Sequence, residues 1–459
     1  MSSPLNVAVV GAGPAGIYAS DILSKSGLDV KIDLYEKLPA PYGLVRYGVA
    51  PDHPRIKQII TALYRILQRG DIRLIGNVAV GTDVSHEDLA ADYDAVIYAT
   101  GADRDAPFDI PGADLPEVYG AADFVYWYDG HPHYPRTWPL DAREVAVIGV
   151  GNVALDVSRM LAKHPEDLMP TEIPANVEAG LRRSPVTDVH VFGRRGPAQV
   201  KFSPLELREL GQVPDVDVIV YEEDFEFDEG SEAAIRSSNQ TKQVVKTLVD
   251  WTLKEQADLT ASRRIHLHFL QSPEEILGED GHVSGIRIRR NRLTGDGSVA
   301  PTDQTVTYPV QAVYRAIGYF SSPVPGLPFD DVRGVIPNAE GRVLGADGAP
   351  LPGVYATGWV KRGPVGLIGS TKSDAQQTIG HLVEDAASGV VGKGAPGGDA
   401  MLAELERRGV RYTTWEGWEL LDAYERELGA AAGRERIKVV EHETMTAISR
   451  SEPHDGKLY

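Results

Sequence analysis

One local pattern occurs twice in this chain and constrains its fold more than anything else in it. Residues 7–10 are small and apolar and run into Gly11-x-Gly13-x-x-Gly16, and from Pro14 the apolar spacing turns helical over residues 14–23. A strand, a glycine turn and a helix start make a pyrophosphate site. The first glycine forms the tight turn, the second lets backbone approach the phosphates, and the third lets the helix pack on the strand. Orphan N–H groups and the helix dipole favour the anion. Residues 29–35 read as a second strand ending at Glu36, twenty residues after Gly16. An acid there accepts ribose hydroxyls and suits a dinucleotide without a 2′-phosphate, FAD or NAD rather than NADP.

The pattern returns over residues 144–154, with Gly149, Gly151 and, at the third small position, Ala154. Its helix continues to residue 161, and a strand over 187–192 leads into Gly193, Arg194, Arg195 and Gly196. Where the first copy has an acid, the second has two arginines. Guanidinium forks bind a phosphate bidentately, which is the 2′-phosphate arrangement of an NADP(H) site.

Two such units imply an α/β chain with two Rossmann-like dinucleotide-binding domains and mainly parallel sheets. Residues 94–101 read as a buried strand ending in Gly101, and the Tyr-Ala-Thr-Gly of residues 98–101 recurs at 355–358. A glycine-rich stretch over 359–369 and a helix over 373–387 follow it. This return makes the first domain discontinuous. The expected division is an FAD-binding domain over 1–104, an NADP-binding domain over 105–330, the rest of the FAD-binding domain over 331–390, and a linker and helical C-terminal tail over 391–459.

Between these landmarks the pattern is coarser. Residues 38–54, rich in Pro and containing His53, form an irregular loop suited to wrapping a cofactor. A helix is expected over 55–67 and a strand pair over 72–80, turning at Gly76 and Asn77. A turn at 110–112 and a short helix over 123–128 precede the second glycine turn, and 163–186 reads as an insertion. A short helix over 204–210 carries Glu206, a longer polar helix covers 231–256, and a β-meander over 264–320 closes the second domain.

Composition removes several classes. With 46 Lys+Arg against 66 Asp+Glu, the formal charge of −20 argues against nonspecific nucleic-acid binding. The chain has no Cys. That excludes disulfides, thiolate metal sites, Cys-ligated iron–sulfur clusters within the chain and flavoenzymes working through a Cys pair; no metal site is expected. No apolar run approaches 18 residues, so no membrane span is expected, and the absence of a basic-then-apolar leader points to the cytoplasm. A nicotinamide donates two electrons together as hydride, and a flavin can release them singly. Such a pairing without Cys needs an outside electron acceptor, or oxygen.

These features, together with the stretches 41–54, 149–156 and 358–366, resemble adrenodoxin-reductase-type ferredoxin–NADP⁺ reductases, in the expected order from residue 5 to about 390. The resemblance implies an enzyme using FAD and NADPH and passing electrons to a ferredoxin, for example to supply cytochrome P450 or iron–sulfur metabolism. It implies FAD contacts at Gly11, Gly13, Pro14, Ala15, Gly16, Glu36, Leu44, Val80, Gly358, Trp359, Gly366, Leu367 and Ile368. It implies NADPH contacts at Gly151, Asn152, Val153, Arg194, Arg195 and Glu206, and polar groups near the redox centre at His53, Asp156 and Glu206. Hydride transfer needs no general acid, so these three would orient the nicotinamide or move the flavin proton. The arginines 287, 289 and 290, and 182 and 183, are candidates for a basic ferredoxin-binding face. Residues 391–459 depart from the resemblance and carry no functional assignment. An FAD/NADPH-dependent monooxygenase and a non-catalytic nucleotide-binding sensor are the alternative readings.

Overall fold

A computed structural model describes residues 4–53, 57–254, 258–366, 368–392 and 394–459. The chain forms two compact units. The first takes the chain up to Arg104, Asp129–His133 and Tyr319–Tyr459; the second takes Asp105–Tyr128 and Tyr134–Gly318.

The first unit is built on a seven-stranded sheet. Its strands are, in spatial order, Asn338–Ala339, Arg342–Leu344, Pro350–Ala356, Ala95–Tyr98, Leu5–Val10, Val30–Tyr35 and Ile72–Ile75. The last five run parallel, and the first two add an antiparallel edge. Leu5–Val10 is buried throughout, because both faces of the sheet are covered. Val7 and Val9 join Ile17, Leu23, Ala375 and Leu382 on one face. Ala8 and Val10 join Tyr35, Val96 and Leu405 on the other.

Residues 391–459 are part of this unit's core. Met401 and Leu405 of helix Gly398–Arg407 pack on one side of the sheet, and Trp418 and Leu421 of helix Trp415–Ala431 join the cluster on the other. The expected linker is tied down as well: Asp94 Oδ1 accepts the Gly394 and Ala395 N–H groups, and Asn6 donates to the Ala395 carbonyl. The expected strand pair over 72–80 is wrong. Only Ile72–Ile75 is a strand, and Gly76 instead exchanges backbone bonds with Thr413 of the tail. Asp83 then accepts the Ala79 N–H, which turns the chain locally before Val80 can pair beyond a bridge to Val84. Of the helix expected over 55–67, Ile59–Leu67 is seen; residues 54–56 lie outside the described residues.

The second unit holds a six-stranded parallel sheet in the order Val118–Gly120, Ala312–Arg315, Glu144–Ile148, Asp188–Phe192, Arg263–His268 and Val216–Val220. The meander expected over 264–320 is therefore only partly right. Gln271–Glu279, His282–Leu293 and Val299–Tyr308 form a separate antiparallel sheet, while the strands flanking it belong to the parallel one. The polar helix expected over 231–256 is two helices, Glu229–Ser237 and Asn239–Thr252. Ser238 breaks them with extended backbone, and its hydroxyl caps the second by accepting the Thr241 N–H.

A row of buried rings crosses this parallel sheet. The register pairs His266 with His190 and His268 with Phe192. His190 and His266 stack with centroids 4.4 Å apart, and Tyr308 covers His190, Phe192 and His268. His190 Nδ1 lies 3.1 Å from His268 Nε2, while His266 bonds Asp188 (2.9 Å) and Tyr221 (2.8 Å). Burial lowers the affinity of all three for protons, and takes His190 down to about 3.

Candidate functional site

The first glycine turn needs its glycines for three different reasons. Gly11 has φ +107°, and a Cβ on it would lie 2.5 Å from the Ala99 carbonyl oxygen at the end of the neighbouring strand. A Cβ on Gly16 would lie 1.9 Å from the Gly11 oxygen, so helix and turn touch directly. A Cβ on Gly13 would meet only Gly43 Cα, at 3.9 Å. The space over Gly13 is therefore a cradle that a side chain would fill, as a pyrophosphate site requires. Pro14 and Ala15 start helix Pro14–Ser24, whose N-terminus has no side-chain cap, leaving its N–H groups for an anion.

Glu36 stands at the end of the second strand, buried. Its carboxylate accepts the N–H groups of Ala12 (3.0 Å) and Leu38 (3.2 Å). Burial pushes its pKa up, against the Lys37 charge and these N–H bonds. A carboxylate accepts about four bonds, so capacity remains for ribose hydroxyls. The Tyr42 N–H donates to the Ala12 carbonyl (2.8 Å), and Gly43, at φ +50°, brings the loop backbone against Gly13. Leu44 follows as the half-buried start of the short helix Leu44–Tyr47.

The return strand closes on the same turn. Gly358 has φ +74°, and a Cβ on it would lie 2.6 Å from the Ala15 Cβ. Its N–H donates to Asp374 (2.6 Å), as does the Thr357 hydroxyl (3.1 Å), and Lys361 sits 3.0 Å from the same carboxylate. Asp374 fixes this approach, and sequence reasoning missed it. The available signal was an acid near the start of the helix that follows the glycine-rich stretch. Trp359 is half-buried, its ring 6.4 Å from that of Tyr319. Gly366 makes a turn of its own at φ +87°. Ile368 opens helix Ile368–Ala387, earlier than expected, and Leu367 lies outside the described residues. Val80 packs beside the cluster containing Ile75, Val78 and Val84.

In the second unit the turn repeats with variations. Gly149 has φ +134°, with the Ala316 carbonyl oxygen 2.2 Å from where a Cβ would stand; around Gly151 there is nothing within 4 Å. Asn152 and Val153 start helix Asn152–Ala162, and Asn152 Oδ1 accepts the Ser203 N–H (2.9 Å). The Ser203 hydroxyl in turn caps helix Pro204–Leu210 by accepting the Glu206 N–H. Arg159, buried, stands 2.8 Å from Asp156 and 3.9 Å from Glu206. The structure thus brings Asp156 and Glu206 together around one guanidinium. His53 belongs to the first unit, where it is buried.

Arg194 and Arg195 follow strand Asp188–Phe192 and are exposed. Their backbone is held, since the Arg194 carbonyl accepts from Asn291 and the Arg195 carbonyl from the Leu270 N–H. No acid among the described residues forms an ion pair with either guanidinium. The expected basic face fares differently. Arg287 pairs with Glu275, Arg289 with Glu274, Arg290 with Asp224 (2.8 Å), and Arg182 with Glu166 and Glu178. Of that set only Arg183 has no acid partner among the described residues; the cluster is largely neutralised by its own neighbours. No helix among the described residues is long and apolar enough to cross a membrane.

Residues 5–173 match the family described as pyridine nucleotide-disulphide oxidoreductase. The chain has no Cys, so the disulphide half of that description has no counterpart in it. It is 40% identical over 451 residues to NADPH-ferredoxin reductase FprA of Mycobacterium tuberculosis, covering 95% of this chain and 97% of that one. It is 40% identical over 454 residues to the mitochondrial NADPH:adrenodoxin oxidoreductase of Homo sapiens, covering 96% and 91%. A solved structure of M. tuberculosis FprA in complex with NADPH superposes with a TM-score of 0.89 at 38% identity, covering 98% of this chain and all of that one. The similarity reaches past residue 390, so the tail that departed from the sequence resemblance lies within the shared span.

Proposed function

The chain belongs to the family of NADPH-dependent ferredoxin and adrenodoxin reductases, and on that premise we propose that it oxidises NADPH and delivers the electrons to a ferredoxin-type iron–sulfur protein. FAD, when bound, accepts the two electrons of the nicotinamide hydride and releases them one at a time. The observation that carries this reading is the pair of unlike glycine turns: a buried acid beside the first, two exposed arginines beside the second.

In this reading the first unit holds FAD. The open cradle over Gly13 and the uncapped start of helix Pro14–Ser24 bind the pyrophosphate. Glu36 accepts the ribose hydroxyls, and Leu44, Val80, Gly358, Trp359 and Gly366 complete the walls. The second unit holds NADPH, with the open space over Gly151 and the start of helix Asn152–Ala162 receiving its pyrophosphate. Arg194 and Arg195 grip the 2′-phosphate by charge-assisted bonds. Arg159 holds Asp156 and Glu206 in place, and these acids and His53 orient the nicotinamide or move the flavin proton. The cytoplasm, with its NADPH pool, is the proposed compartment.

The named relatives are reductases, and the monooxygenase reading is set aside. Purified protein is expected to carry a flavin absorption band and to reduce an added ferredoxin with NADPH, followed by reduction of cytochrome c. A protein with no flavin band and no acceptor reduction overturns the reading. NADPH consumption tightly coupled to an oxygenated product, with poor ferredoxin reduction, would restore the alternative.

A further inference from the structure

The C-terminal tail reaches the loop that lies against the first glycine turn, and it does so with buried charge. Glu425, on helix Trp415–Ala431, is fully buried. It receives both terminal nitrogens of Arg46 (3.0 and 2.5 Å), Arg436 Nη1 (3.0 Å) and the Val439 N–H (3.0 Å). Lys438, 1% exposed, donates to the carbonyls of Arg46 (2.8 Å) and Asp129 (3.1 Å) and stands 3.6 Å from the Asp129 carboxylate. Lys57 approaches Asp129 as well, at 3.5 Å. On the same helix face, seven residues before Glu425, Trp418 meets Tyr42 edge-on with centroids 5.6 Å apart, and the Arg46 guanidinium lies 5.1 Å from the Trp418 ring.

The loop so held is the one that shapes the cradle. Tyr42 bonds the Ala12 carbonyl, Gly43 faces Gly13, and Leu44 and Arg46 share the short helix Leu44–Tyr47. Every contact lies within the first unit. We propose that Glu425 and Lys438 are positioning residues for the dinucleotide at the first glycine turn: the tail clamps residues 42–47 and thereby sets the width of the space over Gly13. This rests on the reading that the first unit binds FAD. Buried ion pairs add little net stability, since desolvation offsets their attraction, but they fix geometry strictly and are costly to break. A clamp that must hold a loop at one distance is a use that fits those energetics.

The test uses the full-length protein, stripped of flavin and titrated with FAD, with flavin fluorescence and visible absorbance as readouts. Glu425→Gln keeps the shape and removes the charge; Lys438→Met keeps the length of the side chain and removes its donors. Asp399→Asn is the control, because Asp399 ties the tail to Arg73 (2.7 Å) on the sheet without touching the loop. We expect the FAD dissociation constant to rise at least tenfold in Glu425→Gln and in Lys438→Met, with a shifted flavin absorbance band. Asp399→Asn should stay within twofold of the parent. If Glu425→Gln fails to fold, Lys438→Met decides alone. Parent protein that binds no FAD would overturn the cofactor reading itself. Parent protein that binds FAD, with variants that bind it equally well and with the same spectrum, would overturn only the clamp, as would an equal loss in Asp399→Asn.

Discussion

Acidification should loosen the second unit through its histidine row, and the effect can be worked out for His190. In an unfolded chain a histidine titrates near 6.5; in the fold, burial takes His190 down to about 3. Above pH 6.5 it is neutral in both states and contributes nothing to the pH dependence. Below that, the unfolded chain takes up a proton that the folded chain refuses. Stability is therefore full above about 6.5 and falls as the pH drops toward 3. At pH 5 the difference amounts to about 2 kcal/mol for His190 alone. His266 and His268 shift in the same direction, so the slope is steeper than the one proton, about 1.4 kcal/mol per pH unit, that His190 alone supplies. The charges facing the row temper this. Asp188 bonds His266, and Glu144 lies 3.7 Å from His190, so protonated rings there would gain partners; Arg264, 3.6 Å from Asp188, opposes them. Urea unfolding between pH 7.5 and 5 measures the slope, and His190→Phe, which keeps the stacked ring and removes the titration, should flatten it by about one proton. An unchanged slope in His190→Phe would refute the reasoning. So would a His190 ring that titrates near 6.5 in an NMR titration of the folded protein.

Three further outcomes follow from the geometry. Replacing Arg194 and Arg195 together by Ala should raise the KM for NADPH tenfold or more and leave NADH kinetics nearly unchanged. Two charge-assisted contacts of roughly 1.5–3 kcal/mol each when dry are weakened by exposure but still sum to about 1.4 kcal/mol or more; equal losses with both nucleotides would make the pair structural. Gly358→Ala should lower the flavin absorbance per chain by more than half, since its φ of +74° alone costs about 1–2 kcal/mol and the new methyl meets Ala15. Arg290→Met strands the fully buried Asp224, which keeps the bond from the Phe269 N–H at 2.8 Å but loses its guanidinium. Urea unfolding should register a loss of about 3 kcal/mol, while the KM for a ferredoxin acceptor stays within twofold; a large change in that KM would return Arg290 to the docking face.

What the sequence made legible is what local rules control. The two glycine turns were readable because each glycine answers a short-range demand. Gly11 and Gly149 take positive φ against the carbonyl of a neighbouring strand, Ala99 in one case and Ala316 in the other. Gly16 has no room for a methyl, whereas Ala154 has, so the third position differs without the turn being lost. The recurrence of Tyr-Ala-Thr-Gly pointed correctly to the return of the chain, since strand Pro350–Ala356 pairs beside Ala95–Tyr98 with matching ends. The break at Ser238 was in principle readable too, as a serine that caps better than it propagates a helix. It was hidden because the polar pattern on either side has the same period.

The tail was illegible for a different reason. Glu425, Arg436 and Lys438 sit in a run of charged residues, and charge in a helix ordinarily marks a solvated face. Glu425 is buried against Arg46, a partner 379 positions away in sequence, and Lys438 against the Arg46 carbonyl, and no local pattern reports a partner at that distance. The same blindness worked in reverse on the arginines at 287, 289 and 290. Their clustering along one strand suggested an open basic surface, yet the acids that cancel them lie on the neighbouring strand, Glu274 and Glu275, and on a remote turn, Asp224. Charge counts along a sequence therefore misplaced both features in opposite senses. The Arg46 guanidinium shows why pairing decides: burial disfavours its charge, and the Glu425 carboxylate outweighs that and tightens its hold on the proton. A charged residue in this chain is a surface feature or a clamp according to what stands opposite it, and that is settled only when the sheet and the tail are assembled.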